Sequence, residues 1–452
     1  MQTETREPVY GSQVATIEPY SIEHIPASER HGRNRHLFLL WFAANLTIAD
    51  YALGFLPVAL GVSLGRTVVM LAIGNLLGAA LVGACAAMGI RAGYPQMYMG
   101  RRSFGRVGGY LPAALNWVST AGWFTVNTIL GAFALQIVWS SLPFWVAAAI
   151  LVVVQTLIAI YGHNLIHAFE WAMAAVLGVL FAVATVVALS HWGTISRYHP
   201  ASHGLSGAFI VLAASFSYVM SWSPYASDYS RYLPESSSLP QAAWLTFVGA
   251  GVASFWLEVL GSLVAILAID KTNAIGALDQ VMGGFGTWAV VAVILGACAA
   301  NALNLYSNTM SARVLDVKVP RWSLAVVGGA VGFVLALFGH KNFLGNYTNF
   351  LLFLDYWITP WLAVVLVDFY LLRRQRPEGF GLAPPVNSRG LSSYLIGVAA
   401  SIPFMNPPGK HYFHGPLAAR LHGVDISYFV GFVVAGAVYL AAGRQERAAR
   451  LS

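Results

Sequence analysis

The chain has 452 residues, of which 58% are hydrophobic and 10% charged. Soluble domains carry roughly 25% charged residues, so a water-soluble globular enzyme is excluded and a polytopic membrane protein is expected. The net charge of +7 follows membrane topology, as shown below, and requires no nucleic-acid partner.

Residues 1–36 are polar, with no apolar segment leading to a small-residue cleavage site. They read as a tail without a secretory leader. A crossing helix needs about 20 apolar residues. By that rule twelve spans are predicted, at 37–62, 67–90, 108–140, 143–161, 169–190, 207–224, 242–269, 285–312, 322–339, 343–372, 391–405 and 424–443. The eleventh is short. The resulting organisation is a tail at 1–36, a ten-helix core at 37–372, a loop at 373–390, two accessory spans at 391–443 and a second tail at 444–452. With the N-terminus placed in the cytoplasm, 19 of the 25 Lys and Arg fall on the cytoplasmic side. That asymmetry puts both termini inside. Cys85 and Cys298 both lie in apolar segments and offer neither a disulfide framework nor metal-ligand spacing.

Two spans look interrupted. The first contains Asn45, Thr47, Asp50 and Gly54, with Pro57 following. The sixth runs through Phe216 and Tyr218 into Met220, Ser221, Trp222, Ser223 and Pro224, and ends at Asp228 and Arg231. Proline removes a helix donor, and lipid offers no substitute partner, so such a break must be buried in protein or line a cavity. The two spans occupy corresponding places in two five-span units. That placement predicts an inverted repeat with a binding site between its halves.

Polar residues at membrane depth face the protein interior. Trp123 and Asn127 in the third span share a helical face and suit a flat heterocycle: the indole stacks and the amide bonds in the ring plane. The competing reading is a packed Trp with a helix–helix amide contact. Asn301, Asn304 and Asn308 follow 3/4 spacing in the eighth span and need either a neighbouring helix or a polar ligand. Asp50, Glu258 and Asp355 lie inside spans as proton-carrier or gate candidates. Asp228 and Arg231 read as a gate pair at the cytoplasmic end of the sixth. Glu170 and Asp368 look peripheral.

No Walker A pattern or dinucleotide fingerprint is present, which argues against an ATP-driven pump. His163 and His167 read as structural rather than metal-binding. Trp139, Trp192 and Tyr439 read as interfacial girdle residues. No cofactor and no metal site are expected.

The chain resembles the nucleobase:cation symporter-1 family, which includes the purine–cytosine permeases. The likeness covers about residues 35–375 and is weak in the last two spans. It rests on Ala43, Ala44 and Asn45 with Leu53 and Gly54; on Arg101, Arg102, Ser103, Phe104 and Gly105 followed by Gly108 and Gly109; on Gly122, Trp123 and Phe124 with Asn127; on residues 162–167 with Glu170; on Trp222, Ser223, Pro224, Tyr225, Ala226, Ser227, Asp228 and Tyr229; and on Val367, Asp368, Phe369 and Tyr370 before Arg373.

The resemblance implies an all-α LeuT-like fold, a 5+5 inverted repeat plus two extra helices. It implies that Trp123 and Trp222 sandwich the base and that Asn127 and Asn304 bond its edge, with Asn301 beside them. Met220 or Ser221 is the alternative sixth-span contact, and the first-span contact falls within residues 43–51. Sodium-coupled members carry hydroxyl residues at positions that look like Cys298 and Ala299 here. A hard cation wants oxygen ligands, so protons are favoured over sodium.

The expected function is import of a nucleobase by cation symport across the plasma (inner) membrane through alternating access. The first, second, sixth and seventh spans would rock against the third, fourth, eighth and ninth. The tenth would gate, with Leu351, Leu352 and Leu354 as plug candidates. Alternatives are allantoin, hydantoin, a thiamine precursor or a vitamin B6 compound on the same fold, sodium coupling, a membrane-embedded enzyme, or a channel.

Overall fold

The computed structural model describes residues 20–161, 163–200, 204–373, 383–409 and 412–449; the side chains of 161, 163–171, 321 and 445–449 are outside that description. Every described element is helical. The first span comprises α1 (Arg35–Asn45), α2 (Ile48–Leu53) and α3 (Phe55–Ala59). Then come α4 (Leu64–Ala92), the connecting α5 (Gln96–Phe104), α6 (Tyr110–Val138), α7 (Phe144–Tyr161), α8 (His163–Ser190) and the short α9 (Trp192–Ile195). The sixth span comprises α10 (Leu205–Met220) and α11 (Ala226–Ser230). It is followed by α12 (Leu239–Leu267), the connecting α13 (Ala274–Met282), α14 (Gly286–Val314), α15 (Arg321–Gly339) and α16 (Phe343–Leu366). The last helices are α17 (Ser388–Ser401), the short α18 (Pro416–Arg420) and α19 (Ser427–Ala449).

Among the described residues, eight helical runs are long and apolar enough to cross a membrane, nine if α1 and α2–α3 form one bent span. The run Trp322–Leu372 holds both α15 and α16, and Phe144–Ile160 is a shorter apolar helix. These helices are consistent with twelve crossings. The least supported is α17, with 14 residues.

Both interruptions have a local cause. The first span bends by 52° between Asn45 and Ile48. Thr47 takes an extended conformation there, and its side chain accepts from the Asp50 amide at 3.3 Å. It is an N-cap that starts a new helix in mid-span. In the sixth span the α-helix stops at Met220, and Ser223–Tyr225 form a 3₁₀ turn with Pro224 in its first positions. This break is tight, without the sharp bend of the first.

The long helices pack in two groups. In one, α12 packs on α1, α2 and α4, and α4 on α10. In the other, α6 packs on α14, α7 and α15, and α7 on α15. The first group holds spans one, two, six and seven; the second holds three, four, eight and nine. Contact in the first group reaches the backbone. A Cβ on Gly54 would lie 2.2 Å from the Glu258 carbonyl oxygen, and one on Gly261 would lie 2.0 Å from that of Tyr51. Only glycine fits at either position. The tenth span, α16, packs on α10 and carries α17 and α19 on its other side.

Two ionic clusters stitch the loops to the helices. Asp368, expected at the periphery, is instead buried at 1% exposure. It sits in a π-helical turn, Val367–Leu372, that prolongs α16. It accepts from Arg102 Nε at 2.8 Å, Arg373 Nε at 3.2 Å and the Tyr439 hydroxyl at 2.8 Å. Tyr439 is therefore fully buried in this cluster and not an interfacial girdle residue. An extra residue per turn directs the carboxylate inward, toward the guanidinium of α5. In the second cluster Asp316, in the α14–α15 turn, accepts from Arg101 Nη2 and Arg106 Nε, both at 2.8 Å, and from Tyr110. Partial burial pushes its carboxyl up, but the bonds from Tyr110, Arg101 and Arg106 outweigh this and hold it at about 2.

Candidate substrate site at the paired helix breaks

The two breaks meet α6 and α14 around one small cavity lined by Thr47, Trp123, Asn127, Tyr218, Trp222, Ala300 and Asn304. Its volume is about 10 Å³, room for about one water molecule. Four of the six substrate residues expected from the sequence therefore come together: Trp123, Asn127, Trp222 and Asn304. Asn301 lies directly behind them. Ser221 does not face the cavity; its hydroxyl donates to the Tyr218 carbonyl at 2.7 Å.

Each indole is held edge-on by other rings. Trp123 meets Tyr218 at 5.2 Å, Phe350 at 5.3 Å and Tyr347 at 6.0 Å between centroids. Trp222 meets Tyr225 at 5.3 Å and Trp41 at 5.6 Å, and its Nε1 donates to Asn45 Oδ1 at 3.0 Å. Asn45 is itself fixed, because its amide donates to the Trp41 carbonyl at 2.7 Å. Edge-on packing of this kind pins a ring plane, so both indole orientations are set before any ligand arrives.

The amides form a chain. Asn127 Nδ2 donates to the Trp123 carbonyl and to Asn301 Oδ1, both at 3.2 Å. Both partners are acceptors, which fixes the amide orientation. Asn127 Oδ1 has no partner although it is buried, and neither has Trp123 Nε1. Asn301 donates to the Phe124 carbonyl and Gln155 Oε1, each at 2.9 Å, and accepts from Asn304 Nδ2 at 3.3 Å. Asn301 is thus a hub that positions Asn127 and Asn304. Asn308 serves helix packing, donating to the Trp117 carbonyl at 2.8 Å and Thr120 Oγ1 at 2.9 Å.

Thr47, Tyr218 and Ala300 were not named as substrate contacts from the sequence. Thr47 lay inside the open window of residues 43–51, and the pattern Thr47-x-x-Asp50 is a helix-start signal that would have located it. Tyr218 lies in the last turn of α10, four residues before Trp222 in the break. Its hydroxyl shares a hydrogen bond with Thr47 Oγ1 at 2.8 Å. Ala300 carries no chemical signal.

Past Asn127 along α6 lies a vestibule of about 1060 Å³, lined among others by Leu130, Phe133, Ile210, Phe343 and Thr348. The opposite side is closed. Asp228 accepts from the Gln96 amide at 2.9 Å and from Ser307 Oγ at 2.8 Å, which joins the sixth span to α5 and to α14. Arg231 donates to the Ser21 carbonyl at 2.7 Å and to the Tyr306 hydroxyl at 3.2 Å. Residues 20–34 thus lie as a strap over this side, anchored also where Arg30 donates to the Ile90 carbonyl at 2.8 Å. The gate candidates Leu351, Leu352 and Leu354 are fully buried on α16. The Leu351 carbonyl accepts from Ser217 Oγ at 2.5 Å.

Asp50, Glu258 and Asp355 are all buried. Glu258 Oε2 accepts from Asn75 Nδ2 at 2.5 Å and Ser215 Oγ at 2.7 Å. Asp50 stands beside it, one turn beyond the cap at Thr47. Asp355 is on α16, toward Asp425 and away from the cavity. Cys298 packs on Leu151 of α7, away from the first span. The side chains of His163, His167 and Glu170 lie outside the described residues. Among the described residues no group of three His, Cys, Asp or Glu is arranged to hold a metal ion.

Broken spans from two repeats, meeting at a buried cavity with rings and amides on its walls, define a membrane carrier of the inverted-repeat kind. A sequence profile described as "Permease for cytosine/purines, uracil, thiamine, allantoin" matches residues 24–431. The chain is 32% identical over 440 residues to the putative purine-cytosine permease YxlA of Bacillus subtilis (strain 168), covering 94% of this chain and 95% of that one. It is 28% identical over 453 residues to the purine-cytosine permease fcyB of Emericella nidulans, covering 94% and 88%. Among solved structures, Mhp1, a nucleobase-cation-symport-1 family transporter in a closed conformation with bromovinylhydantoin bound, superposes with a TM-score of 0.78 at 19% identity, covering 95% of each chain. The chain belongs to this cytosine/purine permease family, whose members are transporters and not enzymes.

Proposed function

We propose that the chain imports a nucleobase of the cytosine or purine type by proton-coupled symport across the plasma (inner) membrane, with both termini in the cytoplasm. The observation that carries the substrate class is the buried Asn127 Oδ1, an acceptor without a donor on the wall of an aromatic cavity. Nearly all buried polar atoms in folded proteins are paired, so an orphan acceptor at this place marks where a ligand N–H belongs. Trp123 and Trp222 supply the flat faces, and Asn304 adds a second amide.

The vestibule is the entry from outside, and the Asp228–Ser307 and Arg231–Tyr306 contacts are the closed cytoplasmic gate. The small cavity means that the side chains must part to admit a ring, which fits a closed state between openings. Proton coupling is supported by the eighth span: Ala299 offers a methyl, and Cys298 turns toward α7, so neither side chain gives a hard cation an oxygen.

The test is uptake into vesicles with proton and sodium gradients imposed separately, against a panel of labelled bases. Accumulation of cytosine or a purine under the proton gradient alone is the expected result. The family description and the hydantoin-bound neighbour favour a second reading with another flat heterocycle. Competition of cytosine uptake by allantoin, hydantoin, a thiamine precursor and a vitamin B6 compound separates the two.

A further inference from the structure

The floor of the transport bundle holds a second site, one turn from the substrate cavity. Gly54 and Gly261 let α2 and α12 touch through their backbones, and this sets Asp50 against Glu258. Gly54, one turn after Asp50, abuts the Glu258 carbonyl, so the two acids are neighbours across this contact, and both residues are fully buried. Donors are scarce. Asn75 and Ser215 serve Glu258 Oε2 alone. Glu258 Oε1 and both Asp50 oxygens have no hydrogen-bond partner. Asn75, at 1% exposure and aimed into the pair, leaves its own Oδ1 without a donor.

The groups that face the pair are acidic or neutral. Tyr218 faces from α10, Tyr347 from α16, Asn75 from α4 and Ser254 from α12. Among the described residues no basic side chain acts on either carboxyl. Two carboxylates sharing a buried site cannot both ionise.

We propose that Asp50 and Glu258 form the coupling site, holding one transported proton between them. This rests on the cation-symport reading above. Loading takes one proton from a hydronium ion on the vestibule side, forms one O–H bond on the pair and leaves a water. Release on the cytoplasmic side breaks that bond and returns the proton to water, and no electrons move. The shared proton is the donor that the Asp50 oxygens and Glu258 Oε1 otherwise lack.

The site communicates with the substrate cavity through one helix cap. The Asp50 amide donates to Thr47 Oγ1 at 3.3 Å, and Thr47 Oγ1 bonds the Tyr218 hydroxyl at 2.8 Å. Thr47 and Tyr218 both line the cavity. Tyr347, whose ring packs on Trp123, donates to the Ala49 carbonyl next door at 3.2 Å. A change of charge at Asp50 therefore acts on the first turn of α2, and that turn carries part of the cavity wall.

The experiment compares the parent with Glu258→Gln and Asp50→Asn in proteoliposomes loaded with cytosine. Three quantities are read: accumulation under an imposed pH gradient, accumulation under an imposed sodium gradient, and exchange of labelled for unlabelled cytosine without any gradient. Both variants are expected to lose pH-driven accumulation at least tenfold, and Glu258→Gln to keep exchange within about threefold. A Glu258→Gln protein that still accumulates cytosine under the pH gradient overturns the proposal. So does a parent whose accumulation follows sodium alone. Infrared spectroscopy of the purified parent supplies a readout independent of transport and of variant folding. The carbonyl band of a protonated carboxylic acid should be present at neutral pH and titrate away in alkali. Absence of that band overturns the proposal as well. If the parent moves no base but carries a band that Glu258→Gln abolishes, the substrate reading fails and the proton site stands.

Discussion

Trp123→Ala tests the substrate site most directly. The indole is 5% exposed and is clasped by Tyr218, Phe350 and Tyr347, so its face has one free direction, toward the cavity. Stacking of a base on an aromatic contributes about 1–3 kcal/mol by alanine substitution, and each 1.4 kcal/mol is tenfold in affinity. The expected loss is therefore roughly 5- to 150-fold in Kd. Removing a buried Trp also costs about 3–5 kcal/mol of stability, so binding must be measured on protein shown to be folded by its melting temperature. Trp123→Phe keeps a flat ring and three edge-on neighbours, and should fall between the parent and the alanine variant. Calorimetric titration of purified protein with cytosine or adenine gives Kd for all three. A folded Trp123→Ala protein that binds as tightly as the parent removes stacking from the mechanism.

Asn304→Ala should weaken binding with a smaller fall in melting temperature than Asn301→Ala, because Asn301 holds Gln155, Phe124, Asn127 and Asn304 in place; thermal shift and titration on the two proteins check this. Gly261→Ala should prevent proper folding, since its methyl would meet the Tyr51 carbonyl oxygen, and a normal size-exclusion profile would contradict that packing. The Asp316 cluster sets an acid limit on stability. Its folded pKa of about 2 lies below the unfolded value of 3.8, so its contribution is full above the unfolded value and is lost as pH falls through the folded one. Asp316→Asn should flatten the melting-temperature profile over that interval.

Much of the architecture was legible because membranes allow few solutions. Apolar length and the uneven distribution of Arg and Lys predicted the spans, and Pro224 and Asn45 marked the interruptions. The amide face of α14 and the Trp123–Asn127 pair were visible as helical spacing. Other features depend on tertiary contact and leave little trace. Nothing in the residues around Ser221 indicated that its hydroxyl would turn onto its own helix. Asp368 looked peripheral because a π-helical turn, which no local pattern announced, rotates it inward. Tyr439 resembled a girdle residue until Asp368 was found beneath it. Cys298 and Ala299 are neighbours in sequence but face different helices.

The walls of the cavity differ in their freedom to change. Thr47 caps a helix, Trp222 is tied to Asn45, and Asn127 and Asn304 hang on one hub, so replacing any of them disturbs something besides the ligand. Ala300 alone holds nothing else up, with a single methyl on the wall. A lineage, or an engineer, seeking a different heterocycle has one inexpensive dial at this position: glycine for a wider ring, serine for an added hydroxyl, valine to turn bulky bases away.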